Sequence, residues 1–325
     1  MKKKINRRLS VAPMLKWTTS DCRIFHRQLS KETLLYTEMI TTGALIYGNK
    51  TRHLNFDNIE HPLALQLGGS DPKDLATCCK IAEKWQYNEV NLNLGCPSTR
   101  VQSGSFGACL MAEPALVADC IKAMVDSCEL DITAKHRIGI DNKDSYAELV
   151  DFIGCLSEAG CQTFIIHARK AWLKGLSPKQ NREIPPLHYD IVAKIKIDFP
   201  HLEIIINGGI TSLQQSLELL KTVDGVMIGR EAYQHPWLLA QADALIFNQD
   251  PILKTRRQII EACFPYIETR LQQGMPLTRF TRHLLGLFHH QPNSKLWRRY
   301  LSENAYQKGA DLGCLKEALD LVDFV

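Results

Sequence analysis

The sequence predicts a (β/α)8 barrel followed by a small domain made only of helices. Eight short apolar runs recur through the first 230 residues, with longer amphipathic stretches between them. Each run ends in polar or small residues, and after about residue 245 only helical periodicity remains. A chain of 325 residues is long enough for one large barrel and a small appendage, or for two domains of medium size.

The apolar runs are four to seven residues long, which is the length of a buried strand. They lie about 20 to 40 residues apart, so one crossover helix fits between successive strands. A six-stranded doubly wound sheet is the structural alternative. The predicted strands are Leu9 to Leu15, Leu34 to Ile40, Leu63 to Leu67, Glu89 to Leu94, Ile132 to Lys135, Thr163 to His167, Glu203 to Ile206 and Asp224 to Ile228.

Four of the intervening stretches are predicted to be helices. Either Ser70 or Asp71 is expected to cap the first of them, because Pro72 suits the first turn of a helix. These helices are Asp71 to Trp85, Pro114 to Cys128, Ser145 to Ala159 and Ser212 to Leu220.

Polar or small residues stand where each predicted strand ends. Barrels place their active sites at the carboxyl ends of the strands. An unpaired charge is costly to bury, so strands that finish in lysine or histidine indicate a site. The strand ends are Met14, Glu38, Gln66, Asn93, Lys135, His167, Asn207 to Gly209, and Gly229 with Arg230.

The last quarter of the chain predicts a helical domain over residues 251–325, separate from a barrel domain over residues 1–245. Helical periodicity covers 251–273, 276–290, 295–306 and 313–325. This quarter has 11 Lys and Arg against 7 Asp and Glu, so it holds the whole net charge of +4. Such a distribution is typical of an anion-binding appendage on a neutral body, although an ordinary charged helical surface explains the charge equally well.

The seventh and eighth strands run into glycines, at Gly208-Gly209 and Gly229-Arg230. The loops after these two strands often bind a phosphate in barrels, because glycine lets backbone N–H groups approach the anion. Arg230 could add a planar pair of charged donors.

Gln66, Lys135 and His167 suit the pyrimidine edge of a flavin. Negative charge develops on that edge when the ring is reduced, so a lysine would stabilise it and a glutamine amide could pair with it. A core ion pair for Lys135 and a satisfied core histidine for His167 are the plainer interpretations. Their phase with the other strand ends favours the flavin site.

Cys96 is the cysteine with a predicted chemical role. It follows a strand end and lies between Gly95 and Pro97, where a core residue is not expected. A thiol near a barrel mouth can act as an acid or a nucleophile. The eleven cysteines have irregular spacing and no Cys-x-x-Cys, so neither a disulfide framework nor a metal site is predicted. Reduced thiols are expected in a cytoplasmic protein.

No apolar run approaches the roughly 18 residues of a membrane span. The basic start from Met1 to Arg8 is interpreted as a solvated tail, because Pro13, Lys16 and Asp21 interrupt the apolar stretch that a signal peptide needs.

At several of these positions the sequence resembles the tRNA-dihydrouridine synthases, and within them the A-type subgroup. The resemblance extends from about Val11 to at least Trp237 and resumes over Trp297 to Leu301. The segments that carry it are Val11 to Met14, Tyr36 to Met39, Leu65 to Ser70, Asn91 to Ser98, Arg100 to Gly104, Phe106 to Met111, His136 to Asp141 and His167 to Lys179.

The resemblance implies an FMN-binding barrel, NADPH as reductant and a helical domain that binds tRNA. It implies Cys96 as the proton donor, and uridines 20 and 20a of the D-loop as the targets. The implied FMN contacts are Pro13, Met14, Leu15, Gln66, Lys135, His167, Asn207, Gly208, Gly209, Gly229 and Arg230. The implied tRNA contacts are Asn93, Lys179, Arg182, Lys295 and Arg298.

The chain departs from the family pattern at Lys16, at Thr19 to Asp21, at Leu94 and at Thr99, so no contact is inferred for Lys16 or Thr99. Two other functions stay open from the sequence. One is an FMN barrel that acts on a free pyrimidine or dihydroorotate, and the other is an RNA-binding barrel without catalysis.

Overall fold

The computed structural model describes residues 5–322 and confirms the predicted barrel with a helical C-terminal part. Eight parallel strands follow the order β1-β8-β7-β6-β5-β4-β3-β2. The Val11 N–H donates to the Leu34 carbonyl at 3.0 Å beside a parallel bridge between Ser10 and Leu34, which closes the barrel. The strands are β1 (Leu9–Val11), β2 (Leu35–Thr41), β3 (Leu63–Gly68), β4 (Glu89–Leu94), β5 (Asp131–Arg137), β6 (Thr163–His167), β7 (Glu203–Asn207) and β8 (Gly225–Ile228).

Helices surround the barrel and make up the described C-terminal part. Short 3-10 turns occur at Asn58–Glu60, Gly107–Ala112, Gln180–Arg182 and Pro236–Gln241. The α-helices are α1 (Ser20–Leu29), α2 (Thr42–Tyr47), α3 (Lys50–Leu54), α4 (Pro72–Lys84), α5 (Thr99–Ser103), α6 (Pro114–Val125), α7 (Tyr146–Glu158), α8 (Tyr189–Asp198), α9 (Leu213–Leu219), α10 (Arg230–Gln234), α11 (Ala242–Phe247), α12 (Arg256–Glu261), α13 (Phe264–Gln272), α14 (Thr278–Thr281), α15 (Ser294–Asn304) and α16 (Leu312–Asp320).

Alternation along the strands separates two apolar layers. On β7, Ile204 and Ile206 pack outward against the helices, whereas Ile205 points into the barrel. Met227 on β8 and Ile165 on β6 join Ile205 in the interior. Because successive strand side chains alternate between faces, both layers can be apolar while chosen inward positions stay polar.

An ion-pair cluster fills the end of the barrel where the strands begin. Arg7 is 3% exposed and donates to Glu89 at 2.7 Å, to Asp131 at 2.5 Å and to Glu203 at 3.0 Å. Tyr36 donates to Glu89 as well, at 2.6 Å. Because the charged side chains at this end pair with one another and fill it, a ligand site is expected at the opposite end.

The four predicted barrel helices are present as α4, α6, α7 and α9. Asp71 caps α4, where its side chain accepts the Asp74 N–H at 2.9 Å. Ser145 begins α7 with a capping box, in which Glu148 accepts the Ser145 N–H. These caps satisfy backbone donors that a helix start would otherwise leave free.

β4 and β6 have the predicted bounds, four strands differ from them by one residue at one or both ends, and β1 and β5 differ by more. β1 ends at Val11, because the chain turns at Met14, whose carbonyl accepts the Trp17 and Thr18 N–H groups. The register of β2 shifts between Tyr36 and Met39, so Glu38 is displaced from the cavity face. β5 extends two residues beyond the predicted end, to Arg137.

The C-terminal helices are shorter than predicted. The first begins at Arg256, capped by Thr255, and a new helix starts at Phe264 just before Pro265. The predicted helix over 276–290 is an α-helix only at Thr278–Thr281, followed by consecutive turns. The backbone bonds there span three residues, as from the His283 N–H to the Phe280 carbonyl and from the Leu287 N–H to the Leu284 carbonyl. Within these turns Gly286 packs so closely on the Gln234 carbonyl that a Cβ would be 1.9 Å from its oxygen.

The predictions for Met1 to Lys4 and for residues 323–325 lie outside the described residues. Within 5–322, no helix has the length and apolar character needed to cross a membrane.

Candidate active site

A cavity of about 890 Å³ opens at the carboxyl ends of the strands. This volume is typical of a site for a cofactor-sized ligand. All eleven predicted FMN contacts line it, and so do Cys96, Asn93 and Arg182. Lys179, Lys295 and Arg298 do not line it.

A chain of amides crosses the cavity floor from β3 to β5. Asn93 Nδ2 donates to Gln66 Oε1 at 2.9 Å, and Gln66 Nε2 donates to Asn91 Oδ1 at 2.8 Å. Asn91 Nδ2 continues to Thr133 Oγ1 at 2.8 Å. Each amide has two donors and an acceptor with two lone pairs, so Gln66 keeps one N–H and one lone pair for a ligand.

The loop that carries Cys96 is shaped by Asn93. Asn93 Oδ1 accepts the N–H groups of Gly95 at 3.2 Å and Cys96 at 3.1 Å. The half-buried Cys96 thiol lies 3.6 Å from Ser98 Oγ. The side chain predicted to contact tRNA at Asn93 therefore also fixes the backbone of the predicted proton donor.

Lys135 is a cation without an acidic partner among residues 5–322. Its Nζ donates to Asn207 Oδ1 at 3.0 Å, and Asn207 Nδ2 donates to the Met227 carbonyl at 2.7 Å. Burial, with help from the charge of Arg137, lowers the pKa of Lys135 to about 7. Two Nζ donors stay available for an anionic group in the cavity.

His167 is neutral at neutral pH and has an unsatisfied nitrogen. Burial lowers its pKa well below the usual value, and the nearby cations Arg137, Lys135 and Arg169 lower it further. Its Nδ1 is buried without a hydrogen-bond partner in the described chain. A buried polar atom without a partner indicates a missing ligand or water.

The glycines after β7 let the chain pass closely beneath its neighbours. Gly208 has a φ of 120° and Gly209 a φ of 66°, which L side chains rarely adopt. A Cβ on Gly209 would lie 2.6 Å from Leu187 Cδ1. Arg230, after β8, pairs with Glu183 at 2.7 Å, so a phosphate would have to share or displace that carboxylate.

The sequence reasoning missed several cavity residues. Arg137 was missed because β5 was ended too early, although the alternation from Lys135 places both side chains on one face. Met39 and Thr41 line the cavity in place of Glu38, as a result of the bulge in β2. Trp17 lies at the cavity and stacks on Tyr233 with ring centroids 4.3 Å apart, and no local sequence signal predicts that contact.

No group of three or more potential metal ligands occurs in the part of the chain that the structure describes. The polar groups that line the cavity include amides, a thiol, several cations, a few hydroxyls and one carboxylate, Glu231, which pairs with His235. The excess of cations and amides suits an organic anion or a conjugated heterocycle.

Comparison with known proteins assigns the family. The profile described as dihydrouridine synthase matches residues 10–323 of the chain. A tRNA-dihydrouridine(20/20a) synthase of Vibrio vulnificus is 58% identical over 313 residues, which cover 96% of each chain. The enzyme of the same name from Escherichia coli is 57% identical over 316 residues, covering 97% of this chain and 91% of that one. One from Salmonella typhi is 58% identical over 316 residues, covering 97% and 95%.

The match covers both the barrel and the helical part, and the relatives have nearly the same length as this chain. It includes the strand ends and the Cys96 loop that surround the cavity. The chain therefore belongs to the dihydrouridine synthase family of enzymes.

Proposed function

We propose that this protein reduces uridine in tRNA to 5,6-dihydrouridine, with FMN as its cofactor, NADPH as the reductant and Cys96 as the proton donor. The observation that carries the proposal is the cavity at the barrel mouth, which brings Cys96 together with Gln66, Lys135 and His167. The names of the relatives support tRNA as the substrate, and uridines 20 and 20a as the targets.

The cavity residues fit FMN. Lys135 offers a cation that no carboxylate neutralises within 5–322, and His167 offers an unsatisfied Nδ1. Gln66 keeps a donor and an acceptor for the pyrimidine edge, while Gly208, Gly209, Gly229 and Arg230 suit the phosphate. Pro13, Met14 and Leu15 would border the ring at the end of β1.

When it is bound and reduced, FMN supplies the hydride that uridine receives at C6. Hydride addition leaves negative charge on C5 and on the C4 carbonyl of the uracil. Cys96 gives its thiol proton to C5, so one S–H bond breaks, one C–H bond forms and the sulfur keeps the electron pair. A proton from solvent then restores the thiol. A positioned acid of this kind contributes about 10²- to 10⁴-fold in rate.

The substrate uridine must leave its stack before it can enter a cavity of this depth. Lys179 and Arg182 lie beside the cavity mouth on one loop, and Lys295 and Arg298 lie on α15. We assign these four cations to the tRNA backbone. The same proposal predicts that residues 251–325 form a helical domain that binds tRNA.

The substitution Cys96→Ala tests the proton donor. The variant should bind FMN and be reduced by NADPH at the rate of the unaltered protein. Its formation of dihydrouridine in tRNA should fall about 10²- to 10⁴-fold. Flavin absorbance measures the first two properties, and mass spectrometry of digested tRNA measures the third.

Cys109→Ala is the matched control. Cys109 is half-buried like Cys96, but it lies on the segment after α5 and does not line the cavity. It should keep full activity. Full turnover of tRNA by Cys96→Ala would overturn the assigned role, and reduction of free uracil in preference to tRNA would favour a free pyrimidine as the substrate.

A further inference from the structure

Arg137 is a buried arginine at the end of β5 to which the proposed reaction gives no role so far. It is 4% exposed and lines the cavity. Its Nε donates to the Gly95 carbonyl at 3.0 Å, and its Nη1 donates to the carbonyls of Lys170 at 3.1 Å and Asn181 at 3.0 Å. A single rigid guanidinium therefore joins the loop after β4 to two points of the connection between β6 and α8.

Two of these three carbonyls belong to residues next to groups of the proposed mechanism. Gly95 directly precedes Cys96, and Asn181 directly precedes Arg182. Asn181 is itself fully buried, and its Oδ1 accepts the Trp172 N–H at 2.7 Å. Asn181 is thus held in place by its own contact as well. Because Arg137 bonds to the residue before Cys96 and to the residue before Arg182, it links the two side chains of the proposed mechanism.

The charges around Arg137 are unusual for a buried arginine. No carboxylate pairs with it among residues 5–322. The groups whose charges affect its pKa are Cys96, Arg169 and Arg182, and its own charge lowers the pKa of Lys135 and His167. Burial, with help from the charges of Arg182 and Arg169, lowers the pKa of Arg137 to about 10. Negative charge on the Cys96 sulfur acts in the opposite direction and favours the cation.

A comparison within the chain separates this arrangement from simple loop support. Arg27 is also buried and also donates to carbonyls, at 2.9 Å to Ser30 and 2.7 Å to Lys31. Carboxylates of Asp243, Glu60 and Glu32 favour its cation, and it does not line the cavity. Arg137 has the same kind of bonds, but no carboxylate within residues 5–322 favours its cation, and the group that would favour it is the Cys96 sulfur once its proton has left.

We propose that Arg137 is a positioning residue, which holds Cys96 and Arg182 at a fixed spacing and stabilises the negative sulfur that remains after Cys96 gives its proton to uracil C5. This role rests on the proposed function. It needs no further reactant, because the electron pair of the broken S–H bond stays on the Cys96 sulfur, one residue after the Gly95 carbonyl that Arg137 binds, until a solvent proton restores the thiol.

Three variants of the flavin-loaded protein test the role: Arg137→Ala, Arg137→Gln and Arg137→Lys. Reduction of the flavin by NADPH should stay near the normal rate. Since an oriented charged donor is lost, kcat for tRNA should fall about 10²-fold or more in Ala and Gln, with KM changed less than about threefold. Lysine keeps the charge but not the fork of donors, so Arg137→Lys should recover only part of kcat.

Chemical rescue distinguishes charge from space. Guanidinium ion at millimolar concentration should raise kcat of Arg137→Ala, whereas urea, a neutral molecule of the same shape, should not. Arg27→Lys is the matched control: it should be less stable, but its kcat per flavin-loaded molecule should be normal and insensitive to guanidinium. Normal kcat in Arg137→Gln, or equal rescue by urea, would overturn the proposal.

Hydrogen exchange of the flavin-loaded protein without tRNA gives a second readout. In Arg137→Lys, exchange should rise in the peptides that contain Cys96 and Arg182 and stay unchanged around Arg7. Unchanged exchange at Cys96 would contradict the tether. Hydrogen exchange does not depend on catalysis. It therefore still tests the tether if Cys96→Ala proves active and the proposed function fails. If Arg137→Ala does not fold, Arg137→Lys can still be measured.

Discussion

At the scale of single residues, the site combines cations and neutral groups whose protonation is set by burial. Lys135 and Arg137 lie two apart on β5 and point the same way into the cavity. Neither has a carboxylate partner within residues 5–322, whereas Arg7 at the other end of the barrel has three. An unpaired buried cation weakens a fold, so the presence of Lys135 on this wall is explained by an anionic ligand, whereas Arg137 donates to three backbone carbonyls.

Lys135→Met should therefore stabilise the flavin-free protein at low pH. The pKa of Lys135 is lowered to about 7 in the folded protein from an ordinary value of 10.5. Between those values the unfolded chain binds the proton more strongly, so the folded state of the unaltered protein loses stability as pH falls from about 10 to 7. The gain from methionine should be greatest below pH 7, on the order of 1–3 kcal/mol, and should shrink as pH rises.

Urea unfolding at pH 6 and pH 9 measures this difference. Lys143 is exposed, so Lys143→Met should change the free energy of unfolding by less than about 0.5 kcal/mol at both values. A Lys135→Met variant that is less stable at pH 6 than the unaltered protein would show that the charge of Lys135 does not destabilise the fold.

At the scale of elements, the contact between the barrel and the helical part depends on a close backbone approach. Gly286 follows α14 and lies against the Gln234 carbonyl at the end of α10. Tyr266 on α13 donates to Asp21 on α1 at 2.8 Å, and Thr19 meets His283 at 3.0 Å. The helical part is thus fixed to the same loops and helices that border the cavity.

Gly286→Ala and Gly154→Ala should change stability in opposite directions. A Cβ at Gly286 would meet the Gln234 carbonyl oxygen at 1.9 Å and its carbon at 2.7 Å. Backbone atoms cannot move aside easily, so the variant should lose about 1–3 kcal/mol or more.

Gly154 lies inside α7 with open space where a Cβ would be, so alanine there should add about 0.5–1 kcal/mol. Urea midpoints of the two variants give both values. Equal stability of Gly286→Ala and the unaltered protein would mean that the two parts are less closely packed than the structure shows.

At the scale of the whole molecule, charge and packing are distributed differently. One apolar layer continues from the outside of the barrel into the helical part, where Trp297 is fully buried and donates to the Leu284 carbonyl at 3.3 Å. The net charge of +4 belongs to residues 251–325, whereas the first 250 residues balance to zero. The excess of positive charge therefore belongs to the helical part, and the barrel residues that form the cavity are neutral in sum.

The variant Lys295→Ala/Arg298→Ala should weaken tRNA binding and make it less sensitive to salt. Each lost phosphate contact lowers the slope of log K against log salt by roughly 0.7 to 1, so the slope should become shallower by about 1–2. Filter binding between low and moderate salt measures it. Flavin content should not change, because neither residue lines the cavity.

Lys308→Ala/Lys316→Ala removes the same charge from the same part of the chain and serves as the control. It should change the slope less than the first pair does. Equal slopes for the two variants would show that the domain attracts tRNA through its net charge alone and that Lys295 and Arg298 make no localised contact.

The barrel is predictable from the sequence, because apolar runs of strand length require burial on both faces and their polar ends must share one edge. The same reasoning predicts one cavity for Gln66, Lys135, His167 and the glycines after β7 and β8, and the structure brings them together there. Cys96 was predictable for the same reason, as a thiol between Gly95 and Pro97 directly after a strand.

The contacts between loops could not be predicted from local sequence and are visible only in the folded chain. The bulge that removes Glu38 from the cavity, the turns around Gly286 and the three carbonyls that meet Arg137 all depend on chain segments far apart in sequence. Local periodicity fixes the face on which a side chain lies, but closure of the barrel fixes its partners. The spacing between Cys96 and Arg182 therefore depends on closure of the barrel, which brings the Gly95 and Asn181 carbonyls to the same guanidinium.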